Sequence, residues 1–170
     1  MAKRSVSVTT ITPTATASGA TNLADATYPA VLQGGSSTQR TAIIEIYLGG
    51  QATSSAPTYM LLANDGQVAS GSNTYGTGQM DAALDGASAA LAAPVKTGNT
   101  WATNKPQRSA TLHLLNLSFN AFGGIVRWVA APGEEIYIVG NTASVGEASL
   151  SAFTGGTPGA LGAHVIYETA

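Results

Sequence analysis

The sequence has no cysteine and little charge, and both absences exclude whole classes of function. Without cysteine there is no disulfide, no thiol nucleophile and no thiolate metal site. Charged residues make up 9% of the chain, against about 25% in an average soluble domain. The 7 Lys and Arg residues are spread thinly and the formal net charge is −2, so no basic stripe is present to neutralise a phosphate backbone. We therefore expect no direct contact with nucleic acid.

The residue patterns of common enzymes are also missing. His113 and His164 form no HxH or HExxH spacing, so we expect hydrogen-bonded histidines on strand faces rather than a metal site. No GxSxG elbow of a serine hydrolase occurs. Glu134 and Glu135 are neighbours, and neighbours on a strand point to opposite faces, so the two cannot address one substrate atom. The sequence therefore predicts no catalytic residue, no cofactor, no metal and no enzyme, and the enzymatic alternative left open is a pair of distant acids brought together by folding.

A long apolar run is the third feature that the chain lacks. The first residues, MAKRSVSVTTITPTATASG, have a basic tip but no continuous apolar stretch after it. We therefore expect neither a secretory signal nor a membrane partner. Ala, Thr, Ser and Gly take the place of the missing charge, and faces built from such residues can pack against copies of the same chain at little desolvation cost. This composition favours a homo-oligomer.

An apolar period of two dominates the residues that are present. The stretch 40–48 alternates, which predicts a half-buried strand with one face formed by Ala42, Ile44, Ile46 and Leu48. In 108–119 the apolar phase changes, which predicts a bulge near Leu114 and Leu115. Further strands are expected at 124–130, 134–139, 147–153 and 163–168.

Two apolar runs flank Pro132 and Gly133. Proline presets the backbone angle of the first corner position and glycine supplies the positive angle of the second, so 131–134 is expected to form a type II turn. We expect the strands on either side to pair antiparallel as a hairpin.

About eight short strands separated by turn signals indicate an all-β fold, an antiparallel β-sandwich that is jelly-roll-like. Only 80–94 has a helical composition, and we expect a short helix or an ordered loop there. Residues 1–35 form an N-terminal extended arm or an edge strand, because Pro13 forbids an interior strand position. The sandwich domain is then 36–170.

Contact residues are expected on the arm and among exposed aromatic side chains. Trp101 lies in a polar loop, where it either anchors the loop or contacts a protein or sugar. Trp128 alternates with Arg127 on a strand and is expected in the core. The candidate partner-binding residues are Val6, Val8, Ile11, Pro13, Tyr59, Tyr75 and Trp101.

Three segments resemble a known protein family in their residue pattern and in their order along the chain. The run from IIEIYLGGQATSSAPTYMLLA through KPQRSATLHLLNLSFNAFGGIVRWVAAPGEEIYIVGN to SLSAFTGGTPGALGAHVIYETA resembles small bacteriophage virion proteins of the capsid decoration or cement type. The resemblance covers roughly residues 40–170 and includes no catalytic signature.

The resemblance implies a role on the virion. A decoration protein, made in the host cytoplasm, binds the outer surface of the head and stabilises contacts between major capsid proteins. The arm and the loops at one end of the subunit would grip the shell, and the subunit would associate as a homo-oligomer, with a trimer favoured. The alternative is a receptor-binding or carbohydrate-binding module at a tail tip or spike, with Tyr59, Tyr75 and Trp101 lining a shallow site.

Overall fold

Strands form all the regular structure that is described in the chain. The computed structural model describes residues 3–11, 30–33, 38, 40–67, 82–84, 96–98, 107–139, 147–154 and 159–169. Its strands are β1 (Lys3–Ile11), β2 (Ala30–Gln33), β3 (Arg40–Gly50), β4 (Pro57–Gln67), β5 (Ala82–Ala83), β6 (Lys96–Gly98), β7 (Gln107–Asn120), β8 (Ile125–Val129), β9 (Ile136–Val139), β10 (Glu147–Thr154) and β11 (Leu161–Thr169). The described part of the chain is therefore all-β, as the period of two predicted.

The strands form two sheets with antiparallel pairing. The first sheet has the order β5-β1-β11-β3-β8, and β9 also pairs with β3. The second sheet has the order β6-β2-β10-β4-β7. Most sequence neighbours therefore lie in different sheets, and the chain crosses repeatedly between the two.

One hydrophobic cluster draws its side chains from both sheets. The first sheet contributes Val6, Ile46 and Val165, and the second contributes Met60 and Leu62, all of them buried. Trp128 is partly buried against this cluster, in agreement with its expected place in the core. Burial of apolar side chains in this shared cluster is the main stabilising term of the fold.

The N-terminal segment divides between the two sheets. The sequence left open an extended arm or a strand of the sheet for the first residues. Lys3–Ile11 forms a strand of the first sheet, because it pairs with β11 of the same chain. Ala30–Gln33 pairs with β10. Pro13 lies outside the described residues.

A bulge in β3 reverses the predicted face of its first half. Opposite β11, Glu45 pairs with Ile166 and Ile43 pairs with Tyr167, so Ile44 is an extra residue. Ile43 consequently joins the core cluster with Ile46, while Ile44 is only half-buried. The prediction that Ile44 shares the buried face was wrong because one inserted residue changes the phase of a strand.

The bulge predicted in the second long strand is present. The register between β4 and β7 shifts where Leu62 pairs with Leu115 and Ala63 pairs with His113. Leu114 is the extra residue, and it packs against the core cluster together with Leu115. The change of apolar phase in the sequence therefore located this bulge correctly.

The Pro-Gly turn is present, but the hairpin prediction was wrong. The Glu134 N–H donates to the Ala131 carbonyl oxygen at 2.9 Å and Gly133 has a φ of +87°, as a type II turn requires. However, β8 and β9 do not pair with each other; both pair antiparallel with β3, β9 along Arg40–Ile43 and β8 along Glu45–Gly49. They form one interrupted strand along β3, and residues 131–135 leave its path. We call 131–135 the excursion.

The described residues of 80–94 also differ from the helix or ordered loop that the sequence predicts there. Ala82 and Ala83 form strand β5 and pair with Ser5 and Arg4. Alanine has the highest helix propensity, but propensity is a small term, and backbone pairing with β1 overrides it. The other residues of 80–94, apart from Leu84, lie outside the described part.

Candidate interaction surface at one end of the sheets

Three loop segments meet where β3, β7 and β11 end or begin. The segments are 51–56, 120–125 and 159–160, and we call them together the loop end. Backbone hydrogen bonds tie them: Gln51 N–H to the Ala160 oxygen at 3.0 Å, Ala52 N–H to the Ala121 oxygen at 3.2 Å, and Ala121 N–H to the Ala56 oxygen at 3.0 Å. Loops cross-linked in this way lose little further freedom on binding a partner.

The Asn120 side chain fixes the loop end further. Its Oδ1 accepts hydrogen bonds from the Ala56 N–H and from the Phe122 N–H, both at 3.0 Å, and its Nδ2 donates to Ser55 Oγ at 2.9 Å. One side chain thus satisfies a backbone N–H two residues further along the chain and another across the loop end. Asparagine suits this position because its short amide both accepts and donates.

Two glycines permit the close approach of these loops. A Cβ atom on Gly50 would stand 2.6 Å from the Ala121 Cβ, and one on Gly159 would stand 2.9 Å from the Gln51 carbonyl oxygen. Gly159 also has a φ of +68°, which residues with a side chain rarely adopt. The loop end therefore depends on glycine at both positions.

The loop end presents apolar side chains and no charge. Phe122 is 53% exposed and Ile125, the first residue of β8, is 78% exposed. The three segments read QATSSA, NAFGGI and GA, without a charged residue. An exposed aromatic on a preorganised, uncharged surface has the character of a protein-binding anchor.

A second group of side chains lies on the outer face of the first sheet. Ser7, His164, Tyr47 and Arg127 form one row across β1, β11, β3 and β8. Ser7 Oγ and His164 Nδ1 are 2.8 Å apart, so His164 is the hydrogen-bonded strand histidine that the sequence predicts. The rings of His164 and Tyr47 are tilted, with centroids 6.1 Å apart.

Glu45 links the row to an ion pair. The Tyr47 hydroxyl donates to Glu45 Oε2 at 2.8 Å, and Arg127 donates to the same oxygen from Nε at 3.1 Å and from Nη2 at 2.9 Å. The hydrogen bonds from Tyr47 and then from Arg127 lower the pKa of the Glu45 carboxyl, and the same contact with Glu45 raises the pKa of the Tyr47 hydroxyl. These shifts stabilise the ionised acid and the neutral phenol, so the three side chains form a charge-assisted tie between β3 and β8.

Of the predicted contact residues, the structure describes the side chains of Val6 and Tyr59, and these two lie in different sheets. Val6 is 2% exposed and belongs to the core cluster, so its side chain points into the chain itself. Tyr59 lies on β4 in the second sheet, packed against Leu61 and Ala63. Val8 and Ile11 are described through their backbone pairing with β11. Pro13, Tyr75 and Trp101 lie outside the described residues.

Sequence reasoning missed Phe122, Ile125 and Asn120. A signal for Phe122 was present, because NAFGG places an aromatic directly before two glycines at the end of an alternating run. An aromatic in such a loop has no strand face to pack on and is therefore a candidate for exposure. Nothing local signalled the role of Asn120, since its partners Ser55 and Ala56 lie far away in the sequence.

No known protein family, curated protein or solved structure matches the chain. Within the described ranges, no cluster of three or more His, Cys, Asp and Glu side chains could hold a metal ion. The same ranges contain no helix long and apolar enough to cross a membrane.

Proposed function

We propose that the chain is a structural protein of a virion, a decoration protein that binds the outer surface of the head and stabilises contacts between major capsid proteins. It acts through surfaces and not through catalysis. The observation that carries the proposal is the loop end, where Asn120 and backbone hydrogen bonds hold the exposed Phe122 on an uncharged surface.

The fold proposed for this role is a jelly-roll sandwich. Two features support it: most strands that follow one another along the chain lie in different sheets, and both sheets supply one core cluster. Jelly rolls are built in this way from two Greek keys and serve as capsid and lectin domains. In such a sandwich the loops gather at the two ends, where they can contact a lattice while the sheets carry the fold.

A preorganised loop end is suited to cementing. A specific protein contact buries about 1,200–2,000 Å² in total, and the affinity depends on a few well-packed anchor residues rather than on that area. Because the loop end carries no charge, its contacts bury no unpaired ion. A homo-oligomer would bring several loop ends to one lattice, so that later contacts form at high local concentration.

The test uses heads that are assembled from the capsid protein of the same phage and lack this chain. The purified protein is added to these heads, and binding is measured by co-sedimentation and negative-stain imaging. We expect saturable binding by the wild-type chain. Phe122→Ser removes the anchor and is expected to weaken binding at least about tenfold, as truncation of a central aromatic does.

The matched control is Leu84→Ser. Leu84 is 52% exposed, close to the value for Phe122, but it lies beside Lys3 at the far end of the first sheet. It should leave head binding unchanged. Equal binding by the wild-type and Phe122→Ser proteins, or no binding by either, would contradict the proposal. Recognition of sugars on a glycan array would favour a receptor-binding module instead.

A further inference from the structure

Strand β8 has an edge that no described strand covers. On its inner side β8 pairs with β3, and among the described strands this is its only neighbour. Its outer face carries Ile125, which is 78% exposed, and Val129, which is 50% exposed. Exposed apolar edge strands are templates for pairing with another chain, and natural proteins usually protect them.

The backbone of β8 is arranged to accept a further strand. The Ala130 N–H donates to the Ile44 carbonyl oxygen of β3 at 2.9 Å. Backbone groups of successive residues point alternately to the two sides of a strand. Those of Ile125, Arg127 and Val129 therefore point away from β3, toward the uncovered edge.

The charged side chain of β8 is paired with a residue of the neighbouring strand β3. Arg127, in the middle of β8, gives both Nε and Nη2 to Glu45 Oε2. Its guanidinium lies 5.4 Å from the centroid of the Tyr47 ring on β3. Arg127 is thus paired with a counter-ion of its own sheet, although its side chain remains 54% exposed, so two copies that met at this edge would each bring a compensated charge.

We propose that β8 pairs with β8 of a second copy of this chain, antiparallel and about a two-fold axis at Arg127. The inference deepens the homo-oligomer proposed above and rests on it. The sequence of the strand supports a second copy as the partner. Ile125, Arg127 and Val129 form an apolar-basic-apolar pattern that is the same in both chain directions. In the two-fold pair each Ile125 faces Val129 of the second copy, and an apolar contact forms on either side of the axis.

The ends of the strand fit the same register. Ala130 and the start of the excursion lie opposite Gly124 and Gly123 of the second copy, where no side chain stands in the way. A Cβ added to Gly123 would meet nothing within 4 Å. The excursion then ends the pairing on each side, so the contact involves β8 and does not extend along β9.

Cysteine cross-linking tests the axis, since the natural chain has no cysteine. Opposite residues of a hydrogen-bonded antiparallel pair have Cα atoms about 5.5 Å apart, within the range that a disulfide spans. Mild oxidation should therefore link the Arg127→Cys variant into dimers. Ser118→Cys, an exposed position on β7, the last of the described strands of the second sheet, should stay unlinked at the same protein concentration.

Mass measurement by light scattering gives the second readout. Val129→Lys places a charge opposite Ile125 of the second copy and should weaken association at least about tenfold. The control Ser118→Lys should not change association, and circular dichroism confirms that each variant is folded.

A wild-type monomer at high micromolar concentration would overturn both this contact and the homo-oligomer. An oligomer that keeps its mass in Val129→Lys and does not link through Arg127→Cys, such as a trimer built on other faces, would overturn the β8 contact alone. Head binding is read separately from Phe122→Ser.

Discussion

At the scale of single residues, Asn120 has the clearest individual role. Its amide holds the backbone of Ala56 and Phe122 and the hydroxyl of Ser55. Ala56 is buried, so an Ala56 N–H without its acceptor would pay the full desolvation cost of an unsatisfied donor. The loop end is thus stabilised by a side chain that no local pattern in the sequence identifies.

Replacing Asn120 by alanine is expected to lower the free energy of unfolding by about 1–3 kcal/mol, the usual cost of leaving a buried donor unsatisfied. Urea unfolding followed by tryptophan fluorescence measures the change. Ser55→Ala is the control, because it removes a single exposed hydrogen bond and should cost less than about 0.5 kcal/mol. Equal stability of the Asn120→Ala and wild-type proteins would show that water replaces the amide without loss.

At the scale of elements, the sequence predicted strands better than it predicted their partners and faces. Alternation located β3, β8, β9, β10 and β11 to within a few residues, since a period of two is a local property. It could not show that Ile44 is an extra residue, because the bulge is defined only by pairing with β11. The Pro-Gly turn was read correctly, but the same turn fits a hairpin and an excursion from a strand. Only the long-range pairing of both flanks with β3 distinguishes them.

The bulge makes a prediction about two neighbouring isoleucines. Ile43→Ala removes a side chain that is 1% exposed in the core cluster and should lower the free energy of unfolding by about 2–5 kcal/mol. Ile44→Ala truncates a half-buried side chain and should cost about 1 kcal/mol or less. Denaturant unfolding of the two variants measures the difference, and a reversed order would mean that β3 lacks the bulge and has the phase that simple alternation predicts.

At the scale of the whole molecule, β1 joins the N-terminal residues to the rest of the fold. It pairs with β11 from Lys3 to Ile11 and buries Val6 and Arg4. The sequence left open whether these residues form an arm or a strand, because Thr-rich alternation suits both. The candidate site was predicted least well: the loop end is assembled from three distant segments, and only its exposed aromatic had a local signal.

Deleting residues 2–11 is therefore expected to remove a structural strand. The truncated chain would expose the edge of β11 and part of the core, a loss of several kcal/mol against the total stability of about 5–15 kcal/mol typical of a domain. Loss of the cooperative thermal transition in calorimetry is the expected result. Lys3→Ala, an exposed position on the same strand, should melt as the wild type does, whereas a truncated chain that melts like the wild type would show that β1 is dispensable.

The pairing of β1 with β11 also decides at which pole of the first sheet Lys3 and Glu168 lie. Lys3 lies directly opposite Glu168, while Leu161, at the start of β11, lies beside Gly50 at the loop end. Strands rise about 3.3 Å per residue, so about 23 Å of sheet separates the two poles. A label attached to the side chain of Lys3 or Glu168 would therefore sit at the pole remote from Phe122, and would report on that pole without touching the loop end.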